Sequence, residues 1–473
     1  MGNWMTVTTK KNLLLLTTIF MVLGITTACT PPALSGVPTT HLAPIETATH
    51  AHAATTIPTR TLAPTQTPSP TSAPTSTPSP TPTQTPQTII LADTVSEVGY
   101  NLPLTIQHVS ETEATLLFEL ETPADGGLLY WSLAEPDHIS LVPFSADMAR
   151  HQVRLEELIP GAEYQSAVGL SAGENLYQSP NFRGKDWGLV NFHTLEEGAP
   201  LRIGVIGDSG LGEESTLALA EQMASHDLDF VLHTGDVVYL MNNHPDPFEA
   251  YAEKYYEPLA PLLHEMPIYP VVGNHDIEWA TLWEGKPFYY YAFPPFITST
   301  YSPSDFNGQN QWYAVASRNL QFLMLDTQTF IGEAGLVEQT AWLEERLTDE
   351  RFEFTIPVFH VPPYSSGPHA AEGLVVEQVW GQLFKADQIP VVFSGHEHFY
   401  ERLEADGIRY LISGGGCSVL YNMVEKHPQS NVFVKEMHFV LVELFADHIE
   451  ISVITETGEL LDQVNISLNS PSS

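Results

Sequence analysis

Five short polar groups in this chain could jointly bind and activate a ligand: Gly207-Asp208-Ser209-Gly210, Gly235-Asp236-Val237-Val238-Tyr239, Gly273-Asn274-His275-Asp276, Phe359-His360, and Gly395-His396-Glu397-His398-Phe399-Tyr400-Glu401-Arg402. Each follows an apolar run. Oxygen donors (Asp208, Asp236, Asn274 and Tyr239) mixed with imidazoles (His360, His396 and His398) suit iron, manganese or zinc better than calcium or a thiolate-bound metal. Their number fits two ions sharing one bridging carboxylate. Taken singly each motif is weak, since a Gly-Asp after a strand is usually a plain turn and a His-x-His pair is usually surface or packing. All five in this order are hard to reach by accident.

The elements that must position these groups follow from the hydrophobic pattern. Residues 203–207, 229–233 and 268–272 read as short buried strands, and 213–225 and 248–263 as the helices between them. Further strands are expected at 312–316, 322–325, 355–359, 391–393 and 409–412. Such alternation predicts a mostly parallel sheet with covering helices, whose ligands gather beyond the carboxyl ends of the strands. Asp208, Asp236, Asn274, His360 and His396 all fall at that rim.

Upstream, residues 98–195 read as an all-β unit with short runs at 104–109 and 114–120 separated by turns. The stretch from Val153 to Tyr164 resembles the corner of a fibronectin type III-like sandwich, in which a tyrosine bonds back to the preceding turn. No cluster of acids, histidines or cysteines lies there, so a scaffold or docking role is expected. The 37 prolines of the 473-residue chain are concentrated before it. Residues 30–88 are nearly all Thr, Pro, Ser, Ala and Gln, a composition that favours extended conformers and cannot bury a core. Lys10 and Lys11 lead into an apolar run at 13–25 that suits an export signal better than a membrane span. The following Thr26-Thr27-Ala28-Cys29 resembles the lipobox of bacterial lipoproteins, with Thr26 in place of the usual leucine. The expectation is an exported protein, secreted or lipid-anchored through Cys29. Cys417 is the one other cysteine, which leaves no intramolecular disulfide framework for the folded part.

The formal charge is −39, from 57 acids against 18 basic residues. Residues 1–90 hold Lys10, Lys11, Arg60 and Glu46 alone, so the acidity belongs to the rest. Such a surface repels nucleic-acid backbones and anionic lipid heads at long range, and no nucleic acid partner is expected. An anionic substrate remains compatible, because metal cations invert the local field seen by a phosphate.

The ordered motif series resembles the calcineurin-like metallophosphoesterases and, within them, the purple acid phosphatases, over residues 200–469; the unit at 98–195 resembles that family's amino-terminal domain. Tyr239 is the discriminating residue. The resemblance implies an α/β metallophosphoesterase sandwich of two mixed β-sheets flanked by helices, preceded by the all-β sandwich. It also implies that Asp208, Tyr239 and His398 hold Fe(III), that Asp236 bridges, and that Asn274, His360 and His396 hold Zn(II), Fe(II) or Mn(II). Glu397 and Phe399 occupy the two variable positions of the family's last block and read as tolerated variants.

The activity so implied is acid hydrolysis of phosphate monoesters, with two cations binding phosphate oxygens and lowering the pKa of a water. His275 or His369 would protonate the leaving oxygen; Asp276 stands either to orient His275 or to pack at the base of the loop. His226, His233, His244 and His264 have no motif partners and read as surface or supporting residues. The tyrosines 289–291 read as packing beneath a long loop. Gly414-Gly415-Gly416 lacks the Gly-Lys-Ser/Thr of a phosphate loop and reads as a tight turn. Two other readings stand beside the first. One is a phosphodiesterase or nucleotide hydrolase on the same site, decided by loops at 242–247 and 297–311. The other is a surface binding protein with a vestigial site, which the complete ligand set argues against.

Overall fold

The computed structural model describes residues 90–468 except 93, 240–243, 278–280, 294–311, 318 and 332. The chain divides into Met1–Thr81 and a compact unit, Pro82–Ser473, to which every described residue belongs. The expected export signal with Cys29, the whole of the spacer, residues 242 and 243 and the loop at 297–311 lie outside the described residues.

Two sheets, antiparallel except for a short parallel edge strand at Ile90–Leu91, build the first part of the unit. In one, Ala114–Leu120 lies between Tyr100–Val109 and Arg150–Leu155. In the other, Glu163–Gly173 pairs with Gly126–Ser132, Leu176–Gln178 and Val190–His193, and Ser140–Phe144 forms an edge. Ile159 N–H donates to the Tyr164 hydroxyl at 2.9 Å, tying the turn to the strand that follows it. Tyr100–Val109 is buried along almost its whole length. One reason is that it also meets the α/β part, where His108 Nδ1 lies 2.8 Å from the Tyr269 hydroxyl. Both parts contribute to one contiguous apolar core.

The α/β part holds two mixed sheets. Six strands run in the order Ile268–Pro270, Phe230–His233, Leu201–Ile206, His438–Leu444, His448–Thr455 and Leu460–Ser467; the first three are parallel and the rest antiparallel. In the seven-stranded sheet, Leu320–Met324, Phe354–Val358, Val391–Ser394 and Ile408–Ser413 are parallel, flanked by the antiparallel strands Tyr313–Ser317, Tyr400–Ala405 and Ser430–Val434. Side chains alternate across a strand, and that alternation separates two cores. Leu320, Phe322 and Met324 join the core shared with the other sheet, whereas Leu323 and Leu325 join a second core. That second core is completed by Leu343 of helix Glu333–Leu347 and by Val376, Trp380 and Phe384 of helix Leu374–Ala386. Near-continuous apolar runs are what a sheet covered on both faces requires.

Helix Glu214–Ala224 buries Leu219, Ala220 and Met223. Gly204 permits the close approach, since a Cβ there would sit 2.8 Å from atoms of Met223 and Leu228. The single helix expected at 248–263 is a correction: the segment breaks into Pro247–Tyr251, a π-helical turn at Ala252–Tyr256, and Ala260–Leu263. Pro258 has no N–H to continue the ladder, and Pro261 fits only the first turn of a new helix.

Candidate metal centre

Each motif sits in the turn just past a strand. Asp208 follows Leu201–Ile206, Asp236 follows Phe230–His233, Asn274 follows Ile268–Pro270, His360 follows Phe354–Val358, and His396 follows Val391–Ser394. All five strands are parallel members of their sheets, so their carboxyl ends gather the turns on one rim. The backbone bends sharply to aim the side chains. Asp208, Asp236 and His396 adopt φ of 60°, 57° and 70°, a left-handed conformation unfavourable for residues with a Cβ. Glycines allow the turns to close on one another: a Cβ on Gly273 would lie 2.1 Å from Asp236 Oδ1, and one on Gly395 2.5 Å from Asp208 Oδ2.

The seven expected donors converge in two groups. The Tyr239 hydroxyl donates to Asp208 Oδ1 at 3.1 Å and lies 2.9 Å from His398 Nε2, which is itself 3.5 Å from Asp208 Oδ1. In the second group His360 Nε2 lies 3.0 Å from Asn274 Oδ1, 3.2 Å from His396 Nδ1 and 3.5 Å from Asp236 Oδ2. Donor atoms of Asp208, Asp236 and His360 all lie within 4.8 Å of one another and join the groups.

Each imidazole is held from behind, which sets its inward nitrogen. A carbonyl can only accept, so His360 Nδ1–H donates to Thr234 O at 2.8 Å and His398 Nδ1–H to Val419 O at 2.6 Å, leaving both Nε2 lone pairs inward. His396 is reversed: its Nε2 bonds the Glu372 carboxylate at 3.0 Å, and Nδ1 faces inward. Tying the far nitrogen of an imidazole in this way orients metal-binding histidines and raises their basicity. Tyr421 stacks on His398 with centroids 4.2 Å apart. Glu372 and Tyr421 belong to no motif and reach the site only through the fold.

The electrostatics favour cations. Burial works against a charged His360, yet the Asp236 carboxylate outweighs it and pushes the pKa up to about 9. Burial likewise opposes charge on His398, but its hydrogen bond with Asp208 pushes the pKa to about 11. Two buried carboxylates thus draw positive charge onto the imidazoles, a demand that metal cations would meet in place of protons. With the lone pairs directed inward, the donor set fits a pair of metal ions.

The remaining expected site residues flank the cluster. His275 donates its backbone N–H to Asp236 Oδ1 at 2.9 Å, and its ring packs 4.5 Å from that of Tyr239. Its Nδ1 is buried without a hydrogen-bond partner, and burial lowers its pKa. The Asp276 carboxylate instead accepts from the backbone N–H groups of Gly273 at 2.9 Å, Asp236 at 3.0 Å, Val237 at 3.1 Å and Val238 at 3.4 Å. These bonds tie it to the loop bearing Asp236. His369 lies on the other side, its ring 4.8 Å from that of His396. Fully buried His233 links two of the turns, with Nε2 2.8 Å from Ser209 Oγ and Nδ1 accepting from Gly235 N–H at 3.2 Å. The hydroxyls of Tyr289 and Tyr313 both donate to Pro270 O, at 2.9 and 2.8 Å, holding the strand before Asn274.

Residues 201–400 match the family model for the calcineurin-like phosphoesterases. The segment is a calcineurin-like phosphoesterase domain. Purple acid phosphatase 23 of Arabidopsis thaliana is 25% identical to the chain over 283 residues, 54% of this chain and 57% of the relative. The Fe(3+)-Zn(2+) purple acid phosphatase 12 of the same plant is 28% identical over 233 residues, 46% of this chain and 47% of that one. The chain thus spans about half the length of the curated relatives it matches. The structure of purple acid phosphatase PPD1 from yellow lupin (Lupinus luteus) seeds shares the fold, with a TM-score of 0.59 over 77% of this chain and 74% of that chain at 17% identity.

The phosphoesterase domain also borders a cleft of about 640 Å³ shared with the all-β part and lined in part by His193, Arg202, Asp229, Glu265 and Glu443. Several of its charges answer one another: His193 Nε2 meets Asp229 Oδ1 at 2.9 Å and Arg202 Nε meets Glu443 Oε1 at 3.4 Å. It holds none of the convergent donors.

Proposed function

We propose that this chain is a two-metal acid phosphatase that hydrolyses phosphate monoesters, with Fe(III) at Asp208, Tyr239 and His398, and Zn(II), Fe(II) or Mn(II) at Asn274, His360 and His396. Asp236 would bridge them. The observation that carries this reading is the Tyr239 hydroxyl, bonded at once to Asp208 and His398 inside the donor cluster. A phenolate ligand suits a trivalent ion, and the printed name of one relative couples Fe(3+) with Zn(2+).

When bound, the ions would polarise phosphate oxygens and acidify water. The chain's own residues would do the rest. Asp208 and Asp236, buried and held by the backbone N–H groups of His396 and His275, keep the donor geometry rigid. His275 on the Tyr239 side and His369 on the His396 side stand ready to protonate a leaving oxygen; His369, whose Nδ1 faces Glu397 at 3.5 Å, has Nε2 left for that task. Glu372 keeps His396 Nδ1 directed at the cluster. The all-β part is a fibronectin type III-like sandwich in this reading, supported by its three-stranded and larger sheets and by the Tyr164 corner bond. Export and a lipid on Cys29, with residues 30–88 as a spacer, would set the phosphatase outside the cytoplasm.

The test is the visible spectrum and metal content of the purified full chain. A phenolate-to-iron(III) charge-transfer band that vanishes in Tyr239→Phe supports the assignment. A colourless protein loaded with zinc or manganese alone rejects the iron centre and favours diester substrates near neutral pH.

A further inference from the structure

Glu397 interrupts the His396-x-His398 pair at a position that sequence reading assigned to a tolerated variant. The fold gives it a specific task. Its side chain is fully buried, an expensive place for a carboxylate unless its oxygens are matched. Oε1 accepts from the Ser365 hydroxyl at 3.0 Å and from the His369 backbone N–H at 2.8 Å. Oε2 faces His369 Nδ1 at 3.5 Å, and both atoms are buried with no hydrogen-bond partner among the described residues. Each is therefore matched by the other, in a contact that a small ring movement would tighten into a hydrogen bond. Gly367 makes room for the carboxylate, because a Cβ there would lie 2.2 Å from Oε2. Four residues further on, in strand Tyr400–Ala405, fully buried Glu401 accepts from both the backbone N–H and the hydroxyl of Ser366. Two buried acids of the block that carries His396 and His398 thus pin the loop that carries His369.

We propose that Glu397 is a positioning residue that fixes His369 against the donor cluster, and so sets how that imidazole meets the leaving oxygen of a phosphate ester. This rests on the phosphatase reading above. If Glu397 only filled space under the loop, its replacement would lower stability and metal content without acting through His369. If it positions His369, removing either residue removes the same contribution.

The experiment is a double-mutant cycle on the metal-loaded full chain with Glu397→Val, His369→Asn and the pair. It reads kcat/KM for phenyl phosphate and for p-nitrophenyl phosphate, the dissociation constant of inorganic phosphate, and metal per chain. The expected result is unchanged metal content, a loss about tenfold greater on phenyl phosphate, whose leaving group needs the proton more, weaker phosphate binding, and a double variant no worse than the worse single one. Losses that multiply in the double variant, or equal losses on both esters, overturn the inference. Should Glu397→Val not fold, Glu397→Gln takes its place in the cycle; it keeps an acceptor for Ser365 and the His369 N–H but removes the charge facing Nδ1. A parent that hydrolyses neither ester sinks the phosphatase reading and this inference with it, whereas an active parent matched by both Glu397 variants sinks the inference alone.

Discussion

The same backbone conformation occurs in both parts of the folded unit but under opposite conditions. In the all-β part, Glu157, Asn175 and Arg183 have φ of 58°, 60° and 52° at exposed or half-buried turns, where the strain of a left-handed residue is the ordinary cost of reversing the chain. In the α/β part, Asp208, Asp236 and His396 take up the same conformation while almost wholly buried, and each carries a donor of the cluster. Water and turn geometry explain the first set; nothing local explains the second. Strain that persists in a buried site is held by its surroundings, here by the backbone donors on Asp208 and Asp236 and by Glu372 on His396.

That contrast can be broken most sharply at Asp236. Asp236→Gly relieves the left-handed strain, by roughly 1–2 kcal/mol, but loses the bond to His275 N–H, worth about 1 kcal/mol, and the buried contact with His360, and adds about 0.5–1 kcal/mol of unfolded-chain entropy. The metal-free variant is therefore expected to melt somewhat below the metal-free parent by calorimetry, the strain relief offsetting part of the loss. Its hydrolysis of p-nitrophenyl phosphate should nonetheless fall on the order of a thousandfold, since the lost metal contact contributes several kcal/mol in the transition state. Retained hydrolysis would show that the proposed centre is not the active one.

A smaller effect is expected one step behind the donors. Glu372→Ala leaves the His396 ring without its anchor and should weaken metal binding by about 10–100-fold, read by equilibrium dialysis of the apo-protein against Zn²⁺. Unchanged affinity would mean that packing alone orients His396. The smallest effect belongs to the exposed turn. Glu157→Gly trades roughly 1–2 kcal/mol of relieved strain for about 0.5–1 kcal/mol of unfolded-chain entropy. Its urea midpoint should rise slightly, with kcat/KM unchanged. A loss of activity there would show that the all-β part acts on the site and would erase the distinction between the two regions.

Much of the site was legible because its parts are local. A glycine beside Asp208 or Asp236 after an apolar run announces a strand and a tight turn, and strand alternation does not depend on distant partners. The helix expected at 248–263 failed at Pro258, where apolar spacing outweighed a missing N–H. Asp276 sits beside His275 in the chain yet spends its carboxylate on backbone groups of the neighbouring turn, a choice that adjacency could not reveal. Glu372 went unseen, and Glu397 was legible only as a tolerated variant, for a related reason: their partners, His396 and His369, lie 24 and 28 residues away.

Taken alone, the sequence determined the donor inventory, its order, and the strand-and-turn setting of each donor, since residue type and short-range periodicity carry that information. It also set the acidity and the Pro/Thr-rich stretch that no core could absorb. Only the tertiary structure decided which donors converge, which nitrogen of each histidine faces inward, and that Asp276 binds backbone N–H groups while the exposed Glu372 anchors His396. Those outcomes follow from pairing strands far apart in the chain and from burying charge where every lone pair must find a partner, and both depend on the whole fold being in place.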